Sequence, residues 1–237
     1  MNGIKIYKEG IIIERSKTLI ISDLHLGYYD TNITGVRIAD DIIERIESMI
    51  KEIKPKEIVF NGDILHHFGK ISGLAKRELK ELLGFLKKRD IELILIRGNH
   101  DKLLDYYLND LGIPVKARKW TIRHRNLICH GDKIININRS YDRIIIGHEH
   151  PHVKLVDGIR EEIFKCFLIT KYKGKELIVM PAFSSYSVGS NVLDKNFLSP
   201  YLKNSDDYED SVILALDEID KSIVNFRRIK DIKNIQS

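Results

Sequence analysis

Five short stretches of this 237-residue chain carry side chains able to bind metal. They are Asp23 and His25 in SDLHLG, Asp63 in NGDILHH, Asn99 and His100 in RGNHD, His130 in ICHGD, and His148 and His150 in IIIGHEHPH. Carboxylate oxygen, imidazole nitrogen and one amide oxygen together suit a borderline divalent ion such as manganese, iron, cobalt or zinc. None of the candidate donors is a thiolate, which argues against a structural zinc site. Asp23, His25, Asp63, Asn99, His130, His148 and His150 offer more donors than one ion normally takes from protein. Two ions sharing a carboxylate fit the set better. Such ions, about 3.5–4 Å apart, clamp the attacking and leaving oxygens of an in-line displacement and acidify a bound water.

Something must bring these stretches together, and each follows directly on a predicted strand. In an open α/β sheet the carboxyl ends of the strands form the ligand-binding edge, so the five clusters are expected to converge there. The predicted strands in question are 18–22, 56–60, 91–96, the run ending in ICHG, and YDRIIIG. Before them, residues 3–22 read as a hairpin with its turn at Glu9-Gly10, leading into the first buried strand. Ile38, Ile42, Ile46, Met49, Ile50 and Ile53 have helical spacing within 33–54, and Pro55 follows the end. Residues 74–89 give a second amphipathic helix and KLLDYYLNDLG a short third. A hairpin turning at Lys173-Gly174, a polar loop PAFSSYSVGSN and two strand-like runs, SVILALD and SIVNFRRI, complete the chain. Residues 200–210 are the most loop-like stretch. With no repeat and no linker, the expectation is one α/β domain over residues 1–237. Strand–helix alternation implies parallel pairing in the first half, and strand-rich sequence implies hairpins and a second sheet in the second.

Composition sets the outer bounds. The formal net charge is +5 and the charged fraction 31%, with both signs interspersed, so anionic partners such as nucleic acid are permitted without being required. The two cysteines, Cys129 and Cys166, lie singly in apolar runs and read as buried thiols in a reducing compartment. No signal-peptide pattern opens the chain, and the apolar runs are too short to span a bilayer. A cytoplasmic protein with no membrane association is expected.

In order, D-x-H, G-D, G-N-H-D, H and G-H-x-H resemble the calcineurin-like metallophosphoesterase superfamily, all five motifs falling between residues 23 and 150. The resemblance implies two packed mixed β-sheets flanked by helices, an αββα sandwich. It implies that Asp23, His25 and His150 bind one ion and that Asn99, His130 and His148 bind the second. Asp63 would bridge the two, together with a hydroxide that attacks phosphorus. His100 would protonate the leaving oxygen or stabilise the transition state, with Asp101 beside it. Manganese is the first expectation for both ions, with iron, cobalt, nickel or zinc as alternatives. Three residues after the bridging aspartate, the protein-phosphatase branch carries an aspartate that orients the catalytic histidine. His66 stands there in this chain, as in the double-strand-break repair nucleases and bacterial phosphodiesterases. NGD followed by His66, RGNHD, GHEHP and the PAF loop are similar to the compact phosphoesterases encoded beside DNA helicases and ligases. By resemblance alone, a helicase or ligase is therefore a conceivable partner.

Several residues carry two readings. Tyr28, Tyr29 and Arg37 follow the first motif, where substrate contacts fall in the family. Arg97 offers a planar fork for a phosphate, or an ion pair with a nearby acid. His66 either acts on substrate or orients a neighbour. His152 continues the alternation beyond Pro151 and is expected either to back the ligands from behind or to lie on the protein surface, not to be a ligand. The basic run KARKWTIRHR suits a nucleic-acid groove, and a solvated strand face equally well. The expected function is a two-metal phosphodiesterase, plausibly a nuclease acting on DNA or RNA. A hydrolase of a small phosphorylated or nucleotide metabolite is the alternative enzyme, and a non-catalytic interaction scaffold the alternative of another class.

Overall fold

The computed structural model describes residues 3–28, 38–69, 72–112, 117–137, 140–187, 189–217, 219–220 and 222–236. The first sheet takes its strands in chain order: β1 (Ile4–Tyr7), β2 (Gly10–Ile13), β3 (Thr18–Ile21), β4 (Glu57–Asn61) and β5 (Glu92–Ile96). β1, β2 and β3 pair antiparallel, while β3, β4 and β5 run parallel. The parallel crossovers carry helices α1 (Ile38–Ile53) and α2 (Gly73–Lys87), and α3 (Leu104–Asp110) follows β5.

The second sheet contains β6 (Trp120–Arg123), β7 (Asn126–Cys129), β8 (Arg143–Ile146), β9 (His152–Asp157), β10 (Arg160–Tyr172) and β11 (Lys175–Val179). It also contains β12 (Val212–Leu216) and β13 (Ile223–Arg228). Its order is β13-β12-β10-β11-β8-β7-β6, with β9 pairing β10 off that path. β7, β8 and β11 run parallel to one another. Two short helices, α4 (Pro200–Lys203) and α5 (Ile229–Gln236), cover its outer face through Tyr201, Leu202, Ile229 and Ile232. The expected double sheet with flanking helices is what forms.

The isoleucine-rich runs follow from this layering. Strands buried on both faces need no polar alternation, so they read as continuous apolar sequence. Within the run RIIIG, Ile144 and Ile146 face the α4–α5 side, while Ile145 faces the other sheet. Across from it, Ile20, Val59, Ile94 and Ile96 project inward, and Leu19, Ile21, Ile58, Phe60 and Leu95 turn to the helices. Against the latter, α1 sets Ile42, Ile46 and Met49, and α2 sets Leu79, Leu82, Leu83 and Leu86. α1 carries Asp40 and Asp41 in its first turn and Lys51 in its last, matching the helix dipole. Ser72 caps α2, its hydroxyl accepting the Ala75 N–H at 3.0 Å.

Where the elements depart from expectation, the reasons are local. The N-terminal turn is Lys8-Glu9, one residue early, and Tyr7 pairs Gly10 across it. Gly10 is a packing residue: a Cβ there would meet Met49 Cε at 2.9 Å and the Ile20 carbonyl at 3.1 Å. Glu9 is buried and paired with Arg45 at 2.8 Å, so the polar residue is no surface turn. β9, α4 and α5 were not foreseen. β9 (HVKLVD) is short and half polar, and it pairs with the first half of β10. The described part of the first helix begins at Ile38, and residues 33–37 lie outside the described residues.

One ion pair fastens the sheets at the edge opposite the strand ends. Arg123 of β6 donates from Nε at 2.8 Å and Nη2 at 2.6 Å to the two carboxylate oxygens of Glu57, at the start of β4. The Thr18 hydroxyl donates to the same carboxylate at 2.9 Å. Burial pushes the Glu57 carboxyl up, but these donors outweigh it and hold it below its ordinary 4.5. A depressed carboxyl contributes stability that is complete above pH 4.5 and is lost as pH falls through the lowered value. Glu57→Gln should therefore cost about 1–2 kcal/mol in urea unfolding at pH 7. The gap to the wild type should shrink as pH falls below 4.5; a gap that stays constant to pH 3 would contradict the pairing.

Candidate metal centre

The carboxyl ends of parallel β3, β4 and β5 meet those of parallel β7 and β8 at one edge of the sandwich, and the five motifs occupy the turns there. The turn after β3 and the turn after β4 stay zipped together. Asp23 N–H donates to the Gly62 carbonyl at 3.1 Å, His25 to Asp63 at 2.9 Å and Leu26 to Ile64 at 2.8 Å. To aim their side chains inward, Asp23, His25, Asp63, His148 and His150 all adopt positive φ, at 59°, 51°, 44°, 68° and 47°. Non-glycine residues rarely adopt that conformation, which costs about 1–3 kcal/mol each, and it gathers at functional sites.

Glycines make the close approach physically available. A Cβ at Gly98 would lie 2.1 Å from Asp63 Oδ1, and one at Gly147 would lie 1.9 Å from Ser22 Oγ and 2.3 Å from Asp23 Oδ2. Buried donors then fix the carboxylates. Ser22 Oγ–H donates to Asp23 Oδ2 at 2.6 Å, and the His148 N–H approaches both Asp23 oxygens at 3.2 Å. The His100 N–H donates to Asp63 Oδ1 at 3.0 Å.

The side chains gather into two groups. Donor atoms of Asp23, His25, Asp63 and His150 lie within 4.8 Å of one another, and so do those of Asp63, His130 and His148. Asp63 belongs to both. Asn99 joins the second group, its Oδ1 3.0 Å from His130 Nε2. His130 Nδ1 faces the Asn61 carbonyl at 3.2 Å, an outer hydrogen bond that leaves Nε2 turned to Asp63 at 3.3 Å. His150 Nε2 lies 3.1 Å from Asp23 Oδ1 and 3.3 Å from His25 Nε2.

This donor set fits divalent cations. Asp23 and Asp63 are buried, and among the described ion pairs imidazoles are their only partners. Burial pushes the Asp23 carboxyl up, yet the facing imidazoles of His150, His130 and His25 outweigh it and the net shift is down. Burial holds the His25 imidazole down to about 3, so it is neutral and free to offer a lone pair. His130 is pulled the other way. Burial lowers it, but Asp63 and Asp23 overcome that and raise it to about 9. Two buried carboxylates facing opposed ring nitrogens are the electrostatic pattern that a cation relieves.

The remaining predicted residues divide. The His100 Nδ1–H donates to the main-chain carbonyl of His66, and Nε2 stands 3.7 Å from Asp63 Oδ2. Orientation of His100 thus comes from the backbone of residue 66, which explains how the position manages without an aspartate. The His66 ring lies edge-on to Tyr28 at 4.8 Å and to His25 at 5.4 Å. Asp101 is fully buried and belongs to neither donor group. Its carboxylate accepts the N–H groups of Ile64 at 3.1 Å, Leu65 at 2.9 Å and Gly98 at 2.9 Å. Burial and the Asp63 charge push it up to about 6 against those three bonds.

Arg97 pairs with Asp105 at 2.7 Å. Tyr28 stacks on Tyr186 of the PAF loop at 5.8 Å. Arg37 and Tyr29 lie outside the described residues. His152 is buried in β9 and belongs to neither donor group, its main chain bonded to Ser190 and Val192. In the basic run, Arg123 and Arg125 are taken by Glu57 and Asp142.

Glu149 was missed by sequence reasoning. It is fully buried between His148 and His150 and accepts the N–H groups of Leu198 at 3.0 Å and Ser199 at 2.8 Å, as well as the Ser190 hydroxyl. An acid flanked by two inward-facing residues was the available signal.

A double sheet with Asp, His and Asn converging at its strand ends is the architecture of a metallophosphoesterase. The chain belongs to the calcineurin-like phosphoesterase family, whose model matches residues 16–206. Among solved structures, the Pseudomonas putida nuclease MPE superposes with a TM-score of 0.64 at 18% identity, covering 90% of this chain and 91% of that one. YfcE, a phosphoesterase from E. coli, gives a TM-score of 0.44 at 17% identity over 87% and 96% of the two chains. No curated protein sequence matches. Among the described residues, no helix is long and apolar enough to cross a membrane.

The Asp101 geometry can be checked directly. Asp101→Ala strands three buried N–H donors and should lower stability by about 2–4 kcal/mol in urea unfolding. An unchanged midpoint would mean that the carboxylate is not the anchor of the turns after β4 and β5.

Proposed function

We propose that this protein is a two-metal phosphodiesterase and that nucleic acid is its substrate. The observation that carries the reading is the membership of Asp63 in both donor groups. A carboxylate in that position suits two ions held side by side. Asp23, His25 and His150 would hold one ion, and Asn99, His130 and His148 the other. When bound, two divalent ions supply an acidified water and neutralise charge on a phosphoryl group. Manganese fits the mixed oxygen and nitrogen donors, as iron, cobalt, nickel or zinc also would.

The chain's own groups account for the rest. Asp63, pinned by the His100 N–H, is held between the two donor groups, where it would be shared by both ions. The His66 carbonyl keeps the His100 proton on Nδ1 and turns Nε2 toward the substrate side. For that nitrogen to protonate the departing oxygen, the ring must carry a second proton, on Nε2. Asp101 acts through this arrangement, as a positioning residue holding the turns after β4 and β5. A neutral carbonyl behind His100 stabilises its cation less than a carboxylate would, which suits leaving groups that need little protonation, such as those of activated diesters. Nucleic acid as the substrate is supported by the formal charge of +5 and by the likeness in fold to a nuclease. Tyr28 and Arg37 remain the proposed substrate contacts. Arg97, tied to Asp105, is a weaker one. Nothing in the fold favours a helicase or ligase partner over none.

The test is turnover by the purified protein with manganese on bis-p-nitrophenyl phosphate and on single-stranded DNA. Hydrolysis of both is expected, and loss of more than a hundred-fold in kcat is expected for Asp63→Ala, on the order of the loss for a group needed by the transition state. Hydrolysis of phosphomonoesters alone would overturn the diesterase reading. Two bound ions with no hydrolysis of any ester would favour a scaffold.

A further inference from the structure

Beside the donor groups lies an aromatic surface that metal binding does not use. Phe68 is 58% exposed, yet one face of its ring packs on His100, with centroids 3.7 Å apart at 35°. On the far side of His66, Tyr28 and Tyr186 stack at 5.8 Å with their planes 19° apart. Tyr28 meets the His66 ring at 4.8 Å and 83°, and His66 and His100 lie 6.0 Å apart. Tyr186, Tyr28, His66, His100 and Phe68 therefore form one run of ring faces and edges along the rim of the site. It draws on four separate segments of chain: the turns after β3, β4 and β5 and the PAF loop.

The position of this run matters more than its apolarity. His100 Nε2 stands 3.7 Å from Asp63 Oδ2, so an ester oxygen handled by His100 lies beside this pair. Phe68 packs on that imidazole and is therefore within reach of a group attached to that oxygen. A planar ring matches Phe68 better than an alkyl chain or a bare sugar, because aromatic faces attract one another beyond simple area burial. In nucleic acid the planar groups are bases, and a base can reach an aromatic side chain only when it is not paired and stacked in a duplex.

Resting on the diesterase reading, we propose that Phe68, together with the Tyr28–Tyr186 pair, is a base-stacking surface that selects unpaired nucleotides. Phe68 then sets specificity by holding the base on the leaving side of the scissile phosphate. The phosphates contribute affinity that does not depend on the bases. A strand with bases and a strand without them should thus differ only through stacking.

The experiment is anisotropy binding of metal-loaded protein to a short fluorescein-labelled oligothymidylate and to an abasic tetrahydrofuran strand of equal length. The wild type should bind the base-bearing strand about ten-fold or more tightly. Phe68→Ala should remove most of that preference and Phe68→Trp should keep it. Tyr186→Ala should reduce it, and metal content should be unchanged in all three variants. Equal affinity of the wild type for both strands, or a preference that survives Phe68→Ala and Tyr186→Ala together, would overturn the proposal. Turnover measured on the same samples separates the two readings. A base preference without hydrolysis sinks the diesterase and leaves the stacking surface standing.

Discussion

Everything at the site depends on two buried carboxylates, Asp23 and Asp63, held at the meeting edge of two sheets. Removing a carboxylate from water is costly unless a counter-charge replaces the lost hydration. Among the described ion pairs only imidazoles face these groups, and His25 is held neutral by the same burial. His130, raised to about 9 by the same two carboxylates, answers part of this charge, and a bound cation would answer the rest. Asp63 is the more consequential of the two because it belongs to both donor groups.

The sandwich supplies the rigidity that such an arrangement needs. Five inward-facing residues sit at positive φ, a conformation that persists only when the surroundings enforce it. Asp101 enforces it from beneath by taking the N–H groups of Ile64, Leu65 and Gly98. Glu149 does the same for the His148–His150 turn, anchoring it to Leu198 and Ser199 at the start of α4. Lys165 of β10 donates to the carbonyls of Ala182 and Ser184 and so ties the PAF loop to the second sheet. These charged groups serve the backbone of the site and leave its chemistry to the side chains they position.

Much of this was legible in the sequence because it rests on local order. Apolar runs ending in Asp, His or Asn mark parallel strands whose ends meet, and the five such runs carried the likeness to the family. The turn at Lys173-Gly174 could be read for the same reason. What could not be read depends on distant partners. β9 is short and half polar and pairs with the first half of β10, and Glu149 is an anchor only because residues 198–199 fold back onto it. Asp101 was taken for a catalytic neighbour of His100 because adjacency in sequence carries no information about which way a buried carboxylate points. At residue 66 attention fell on the side chain, whereas His100 is oriented by the carbonyl, which every residue type possesses.

The central claim is that Asp63 is shared between two ions. Anomalous diffraction from crystals grown with manganese tests it most directly. The account predicts two peaks about 3.5–4 Å apart, one beside His25 and His150, the other beside His130 and His148, with the Asp63 carboxylate touching both. A single peak, or two peaks neither of which contacts Asp63, would contradict it.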